Sequence, residues 1–126
     1  MSSIESFKDL IVYRKAYELA MKAFEISKEF PKDEKYSLTD QIRRSSRSVT
    51  SCIAESWAKR RYEKAFINKL TDSLGEEFET EVWLDYSLDC RYIDKETHDK
   101  FRANYEEVRK MLTAMILNPD KWCLKQ

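Results

Sequence analysis

The chain has one glycine and two prolines in 126 residues. So few chain-breakers leave almost no room for the tight turns of an all-β fold, and they exclude a glycine-rich loop that cradles phosphate. The single histidine, His98, cannot supply the two that a di-metal bundle draws from paired E-x-x-H motifs, and no E-x-x-H occurs. Nor does one histidine leave any spacing that marks a Ser-His-Asp or Cys-His arrangement. No catalytic, metal or cofactor site is therefore assigned, and His98 reads as an exposed residue in the first turn of a helix. Three cysteines, Cys52, Cys90 and Cys123, stand far apart without a C-x-x-C pair, which fits reduced thiols in a cytoplasmic protein. No apolar run approaches the roughly 18 residues of a membrane span, and no signal-peptide core follows Met1. A soluble, cytoplasmic protein with no membrane partner is expected.

Charge, by contrast, is abundant and unevenly placed. Lysine and arginine number 23 and aspartate and glutamate 23, so the net charge is zero. Residues 39–64 nevertheless hold seven bases (Arg43, Arg44, Arg47, Lys59, Arg60, Arg61 and Lys64) against three acids. Residues 70–90 hold seven acids and no base. This polarity points to binding and assembly rather than catalysis.

Apolar spacing predicts one all-α domain over residues 1–126, with helices at about 7–29, 37–58, 62–90 and 95–117. In the first helix, Leu10, Tyr13, Tyr17, Ala20, Phe24 and Ser27 follow helical steps, and Phe30-Pro31 ends the run. The second opens on an approximate capping box, Ser37 to Asp40, and its seam of Leu38, Ile42, Ser45, Val49, Cys52 or Ile53, and Ser56 is small in volume. Two readings of its serines stand: close packing, or hydroxyls facing phosphate. The third helix offers Phe66, Ile67, Leu70, Leu74, Phe78, Val82 and Leu84 as a broad apolar face. Trp83 and Tyr86 fall off its narrow seam and suggest a second contact surface. The fourth opens at Asp94, a good N-cap, and carries Phe101, Tyr105, Val108, Leu112 and Met115. Short links between long helices make neighbours antiparallel, so the expected architecture is an up-down-up-down four-helix bundle. Residues 1–6 and 120–126 read as loosely held, with Trp122 and Leu124 able to dock.

Two charge patterns bear on function. Glu77, Glu81 and Asp85 recur at helical spacing as an acidic stripe, with Arg43, Arg44 or Arg47 as expected partners. Arg44 points about 100° away from Arg43 and Arg47, so at least one of the three is expected to turn inward. Lys59, Arg60, Arg61 and Lys64 gather at the second connection with Trp57 and Tyr62 interleaved. Bases beside aromatics can neutralise phosphates and stack on bases. A charge cluster at a helix end can equally be a solvated surface.

Phe7-x-x-Leu10, Phe30-Pro31-x-x-Glu34, Leu38-x-x-Gln41-Ile42-Arg43-Arg44, Ile53-Ala54-Glu55 and Asp72-Ser73-Leu74-Gly75-Glu76 occur in that order. Together, across about residues 7–118, they resemble the 23S rRNA-intervening sequence protein family, also catalogued as four-helix bundle or small-subunit ribosomal proteins. The resemblance implies a non-enzymatic four-helix bundle that assembles into a ring, a homopentamer. It also implies a distant kinship with a retroelement accessory protein that binds nucleic acid through a basic surface. Where the family usually reads Asn-Ile-Ala-Glu-Gly, this chain has Cys52 and Ser56 at the two ends. RNA binding by Arg43, Arg44, Arg47, Lys59, Arg60, Arg61 and Lys64, with Trp57 and Tyr62 as stackers, is one expectation. The other is an adaptor whose basic and acidic surfaces meet across subunits of the ring.

Overall fold

The computed structural model describes residues 3–125, which form four long helices and no strand. Met1, Ser2 and Gln126 lie outside the described residues. The first long helix starts later than its apolar spacing predicts. Ser6 caps a short 3-10 turn, Phe7–Asp9: its Oγ accepts from the Lys8 N–H at 3.1 Å, and Asp9 Oδ2 accepts from the Ser6 N–H at 3.0 Å. Leu10 is then extended, and α1 spans Ile11–Ser27. Its inward face is Val12, Ala16, Leu19, Ala20, Ala23 and Ser27, not the expected Tyr13, Tyr17 and Phe24 stripe. Tyr17 is 52% exposed. Two adjacent stripes of α1 share helical spacing, and the alanine-rich one wins because short side chains let neighbouring helices approach closely.

Phe30 closes this segment by packing on Tyr92, ring centroids 5.4 Å apart. The expected capping box at Ser37 is absent. The backbone is already coiled through a 3-10 turn, Lys32–Glu34, and a π turn, Lys35–Thr39. Ser37 Oγ instead donates to Glu34 Oε1 at 2.8 Å. Helix α2 follows as Asp40–Ala58.

Helix α3, Glu63–Asp89, packs most extensively on α2. Ser45, Ser46 and Ser56 are fully buried, as are Ser73 and Thr80. Ser73 Oγ donates to the Val49 carbonyl at 2.7 Å and Thr80 Oγ1 to Ser45 Oγ at 2.8 Å. The packing reading of these α2 hydroxyls holds, because a group sealed from solvent cannot reach a phosphate. Cys52 and Ser56 belong to the same buried face, and Ser56 Oγ donates to the Ile53 carbonyl at 2.6 Å.

The inward register of α3 is Phe66, Leu70, Ser73, Glu77, Thr80, Leu84 and Ser87. Phe78 and Val82, expected in the core, are 50% and 46% exposed. They lie about 100° round the helix from Glu77 and Glu81. Ser73, Glu77 and Thr80 hold the inward positions of this stretch instead. Arg91 takes φ 65°, and the Tyr92 N–H reaches the Ser87 carbonyl at 2.8 Å, closing the α3 terminus as a left-handed cap.

Helix α4, Lys95–Leu117, matches expectation: Asp94 Oδ1 accepts from the Thr97 N–H at 2.8 Å, and Phe101, Tyr105, Val108, Leu112 and Met115 are buried. Helices α1 and α3 each pack on α2 and α4, so α1 lies diagonal to α3 around one core. Residues 119–124 dock on the bundle, as the sequence allows for Trp122 and Leu124. A 3-10 turn, Pro119–Lys121, brings Trp122 against Trp57, and the Leu124 N–H donates to the Arg60 carbonyl at 3.0 Å. Among the described residues no helix is long and apolar enough to cross a membrane. The three cysteines are free thiols.

Candidate nucleic-acid interface

The basic residues of α2 separate by direction. Arg44 faces α3, where its Nη1 lies 2.9 Å from Glu76 Oε2 and its Nη2 pairs with Glu79. Its Nε donates to Gln41 Oε1 at 3.1 Å. The guanidinium beside Glu79 holds that carboxyl below the usual carboxylate range. Arg44 is thus paired with two carboxylates of α3.

Arg43 and Arg47 face α1. Arg43 Nε donates to Ser27 Oγ at 2.7 Å, and its guanidinium carbon lies 4.8 Å from the Phe24 ring centroid. Arg47 lies over the same ring at 5.5 Å and Lys28 Nζ at 4.8 Å. Lys28 is paired with Glu25, whereas among the described residues neither arginine is paired with a carboxylate. Three cations thus surround one aromatic ring on a ridge of α1 and α2. Apolar spacing missed Phe24, Ser27 and Lys28 as parts of this ridge. Phe24 and Lys28 are visible as an i, i+4 pair, but their meeting with Arg43 depends on how the two helices register.

The connection after α2 differs from its expected form. Arg60 lies 3.6 Å from the Trp57 ring centroid and its Nε donates to the Trp57 carbonyl at 2.9 Å. Burial lowers the pKa of Arg60. Trp122 meets Trp57 edge to face at 6.5 Å. Trp57, the expected stacking platform, is therefore occupied by the chain's own Arg60 and Trp122. Lys59, Arg61, Tyr62 and Lys64 remain exposed around it.

The acidic stripe is real, but its partner is α4 rather than α2. Arg109 Nη1 lies 2.9 Å from Glu81 Oε2 and 3.9 Å from Glu77 Oε1, and His98 Nε2 lies 2.8 Å from Asp85 Oδ1. The His98 side chain is only 12% exposed, so it is an interhelical contact and not the exposed residue expected. Neither Glu77 oxygen has a hydrogen-bond partner, nor has the Tyr105 hydroxyl. Burial, with Glu81 adding to it, pushes the Glu77 carboxyl up to about 9, although Arg109 pulls the other way. Desolvation wins because the side chain is fully enclosed while Arg109 is shared with Glu81. Among the described residues no group of three His, Cys, Asp or Glu is placed to hold a metal ion.

These features define an all-α helical bundle with a divided, strongly charged surface. The family model for 23S rRNA-intervening sequence protein matches residues 8–114, and the chain belongs to that family. A crystal structure of a protein of unknown function from the S23 ribosomal protein family of Bacteroides thetaiotaomicron VPI-5482 is similar, at 29% identity and a TM-score of 0.75. The match covers 84% of this chain and 95% of that one. No curated protein matches.

Proposed function

We propose that the protein is a non-enzymatic, self-assembling antiparallel bundle that binds RNA through the α1–α2 ridge. The observation that carries the reading is the ring of Lys28, Arg43 and Arg47 around Phe24, with both arginines unneutralised while Arg44 and Arg60 are used internally. Arg47 is exposed and Arg43 half-buried with its Nε on Ser27, and both keep their charge and their terminal N–H groups for phosphate. Lys59, Arg61, Tyr62 and Lys64 form a second exposed basic stretch that extends the surface. The antiparallel order is supported by the pairs Ser45–Thr80 and Glu55–Lys69, in which one partner advances as the other recedes. The test is binding of structured RNA across a salt series. Arg43→Glu with Arg47→Glu is expected to weaken binding and flatten the salt dependence by about 0.7–0.9 in logarithmic slope per lost contact. Unchanged affinity and slope sink this surface.

The adaptor reading has its own support. Phe78 and Val82 are exposed on α3, and Tyr17 and Met21 on the diagonal helix α1. Unlike apolar faces on opposite sides favour head-to-tail contact, which closes into a ring such as the family's pentamer. Light scattering of Phe78→Lys/Val82→Glu separates the readings. A dissolved oligomer that still binds RNA keeps both parts of the proposal, and a dissolved oligomer that loses RNA makes assembly the primary function.

A further inference from the structure

Where the start of α2 approaches the end of α3, an aromatic groove of about 690 Å³ opens to solvent. Tyr36, Trp83 and Tyr86 line it, together with Glu34, Gln41 and Cys90. Tyr36 is 80% exposed and Tyr86 55%. Trp83 and Tyr86 lie 5.9 Å apart with their rings inclined by 31°. Their indole and phenol groups are unequally engaged: Trp83 Nε1 donates to Glu79 Oε1 at 3.3 Å, which fixes the indole, while Tyr86 leans on it from the solvent side.

Glu34 is the charged residue in the groove's lining. Glu34 accepts from Ser37 Oγ at 2.8 Å and from the Tyr92 hydroxyl at 2.9 Å, and these bonds hold its carboxyl below the usual range. A carboxylate so held stays ionised through the physiological range. The α3 wall belongs to residues 70–90, which carry seven acids and no base. The nearest guanidinium on α2, that of Arg44, is consumed by Glu76 and Glu79. Lys35 Nζ lies 5.2 Å from the Tyr36 ring, so this ring already attracts a cation.

We infer that this groove is a docking site for an arginine side chain on a basic segment of a partner protein. Aromatic faces are electron-rich, and a cation above them gains most when a carboxylate stands at the rim. Guanidinium is favoured over ammonium because it is flat, weakly hydrated and able to bond a carboxylate while stacked. The chain itself places guanidinium groups on aromatic rings three times, with Arg60 on Trp57 and with Arg43 and Arg47 on Phe24, in each case without a carboxylate partner among the described residues. In the groove the aromatic surface is present and no arginine of the chain fills it. The site is separate from the basic ridge, and its Tyr86 continues the exposed stripe of Phe78 and Val82 along α3.

The test follows the Trp83 indole N–H by NMR while acetyl-Gly-Arg-Gly-amide is titrated into the full chain. A saturable shift is expected, and the citrulline peptide, neutral but of the same shape, is expected to leave it unmoved. Tyr36→Ala/Tyr86→Ala and, separately, Glu34→Gln are each expected to weaken binding by about five-fold. Tyr36 and Tyr86 are exposed, so their removal leaves the core intact. Three results overturn the inference: equal shifts from both peptides, an affinity unchanged in both variants, or saturation by tetramethylammonium without saturation by the arginine peptide. Dissociation of an oligomer by the arginine peptide would also overturn it, since a second copy would then be the occupant.

Discussion

Helix α3 meets both of its neighbours through polar residues, but the two seams are built from different chemistry. Against α2 the buried groups are neutral hydroxyls with hydrogen-bond partners: Ser73 donates to the Val49 carbonyl, and the single Thr80 hydroxyl proton lies between Ser45 Oγ and the Glu76 carbonyl. Against α4 the buried group is a carboxyl, Glu77, and neither it nor the Tyr105 hydroxyl has a partner. Hydroxyls are small, so they let two helices approach closely while keeping their hydrogen bonds. A carboxyl in the same kind of seam can stay only by holding its proton, because an unpaired buried charge is far more costly than an unpaired hydroxyl.

The sharpest way to break that contrast is pH. The Glu77 carboxyl titrates at about 9 in the folded chain against an ordinary 4.5. Glu81 of the same helix and Arg109 and Tyr105 of α4 are the titratable groups around it, and a protonated Glu77 has the Glu81 carboxylate as an acceptor. Between those two pH values the folded state holds a proton that the unfolded chain has released. Stability from this site is therefore full below pH 4.5, falls as pH rises, and levels off above 9. Most of the physiological range lies on this falling limb, so the site contributes less at pH 7 than at pH 5. Glu77→Gln is expected to be more stable than the parent at pH 7 and to lose most of this slope. Urea titrations at fixed protein concentration from acid to alkaline pH measure it, and parallel pH profiles would show that Glu77 is ionised.

The buried hydroxyls of the α2–α3 seam give the opposite expectation, since Ser45, Ser73 and Thr80 have no charge to titrate. Ser45→Val forces volume into the close approach and is expected to cost about 1–3 kcal/mol, independent of pH. Thr80 keeps its bond to the Glu76 carbonyl at 2.9 Å, so no donor is stranded and the cost beyond that of losing the Ser45 hydroxyl is steric. Ser45→Ala is the control, with an expected cost of about 0.5–1.5 kcal/mol. Similar losses from both variants would mean that the hydrogen bond, and not the fit, decides this seam.

The same contrast explains what was legible beforehand. Helix α4 could be read residue by residue because all five of its buried positions are apolar or aromatic. Helix α3 could not, since four of its seven inward residues are Ser73, Glu77, Thr80 and Ser87, while Phe78 and Val82 face solvent. Helix α1 misled in another way, through alanines too small to outweigh Tyr17 and Phe24 in any apolar count. Charge was legible but pairing was not. That one of Arg43, Arg44 and Arg47 turns inward follows from their spacing, but that Arg44 meets Glu79 depends on how α2 and α3 register. The covering of Trp57 joins residues 57, 60 and 122, and no local pattern announces so distant a contact.

Gly75 calibrates both seams, because it lies on the exposed side of α3 between Ser73 and Glu77 and belongs to neither. A β-carbon built there meets nothing within 4 Å, so no close approach requires glycine. Its conformation is helical and its φ is not positive. Glycine in the middle of a helix is penalised by the freedom it has when unfolded, and Gly75→Ala is expected to stabilise the chain by about 0.5–1 kcal/mol. Thermal unfolding at pH 5 and at pH 8.5 measures it. The gain should be equal at the two pH values, because the substitution changes the helix and not the proton on Glu77. A gain that grew with pH would mean that α3 frays where Glu77 ionises. The two seams would then be coupled through the helix they share.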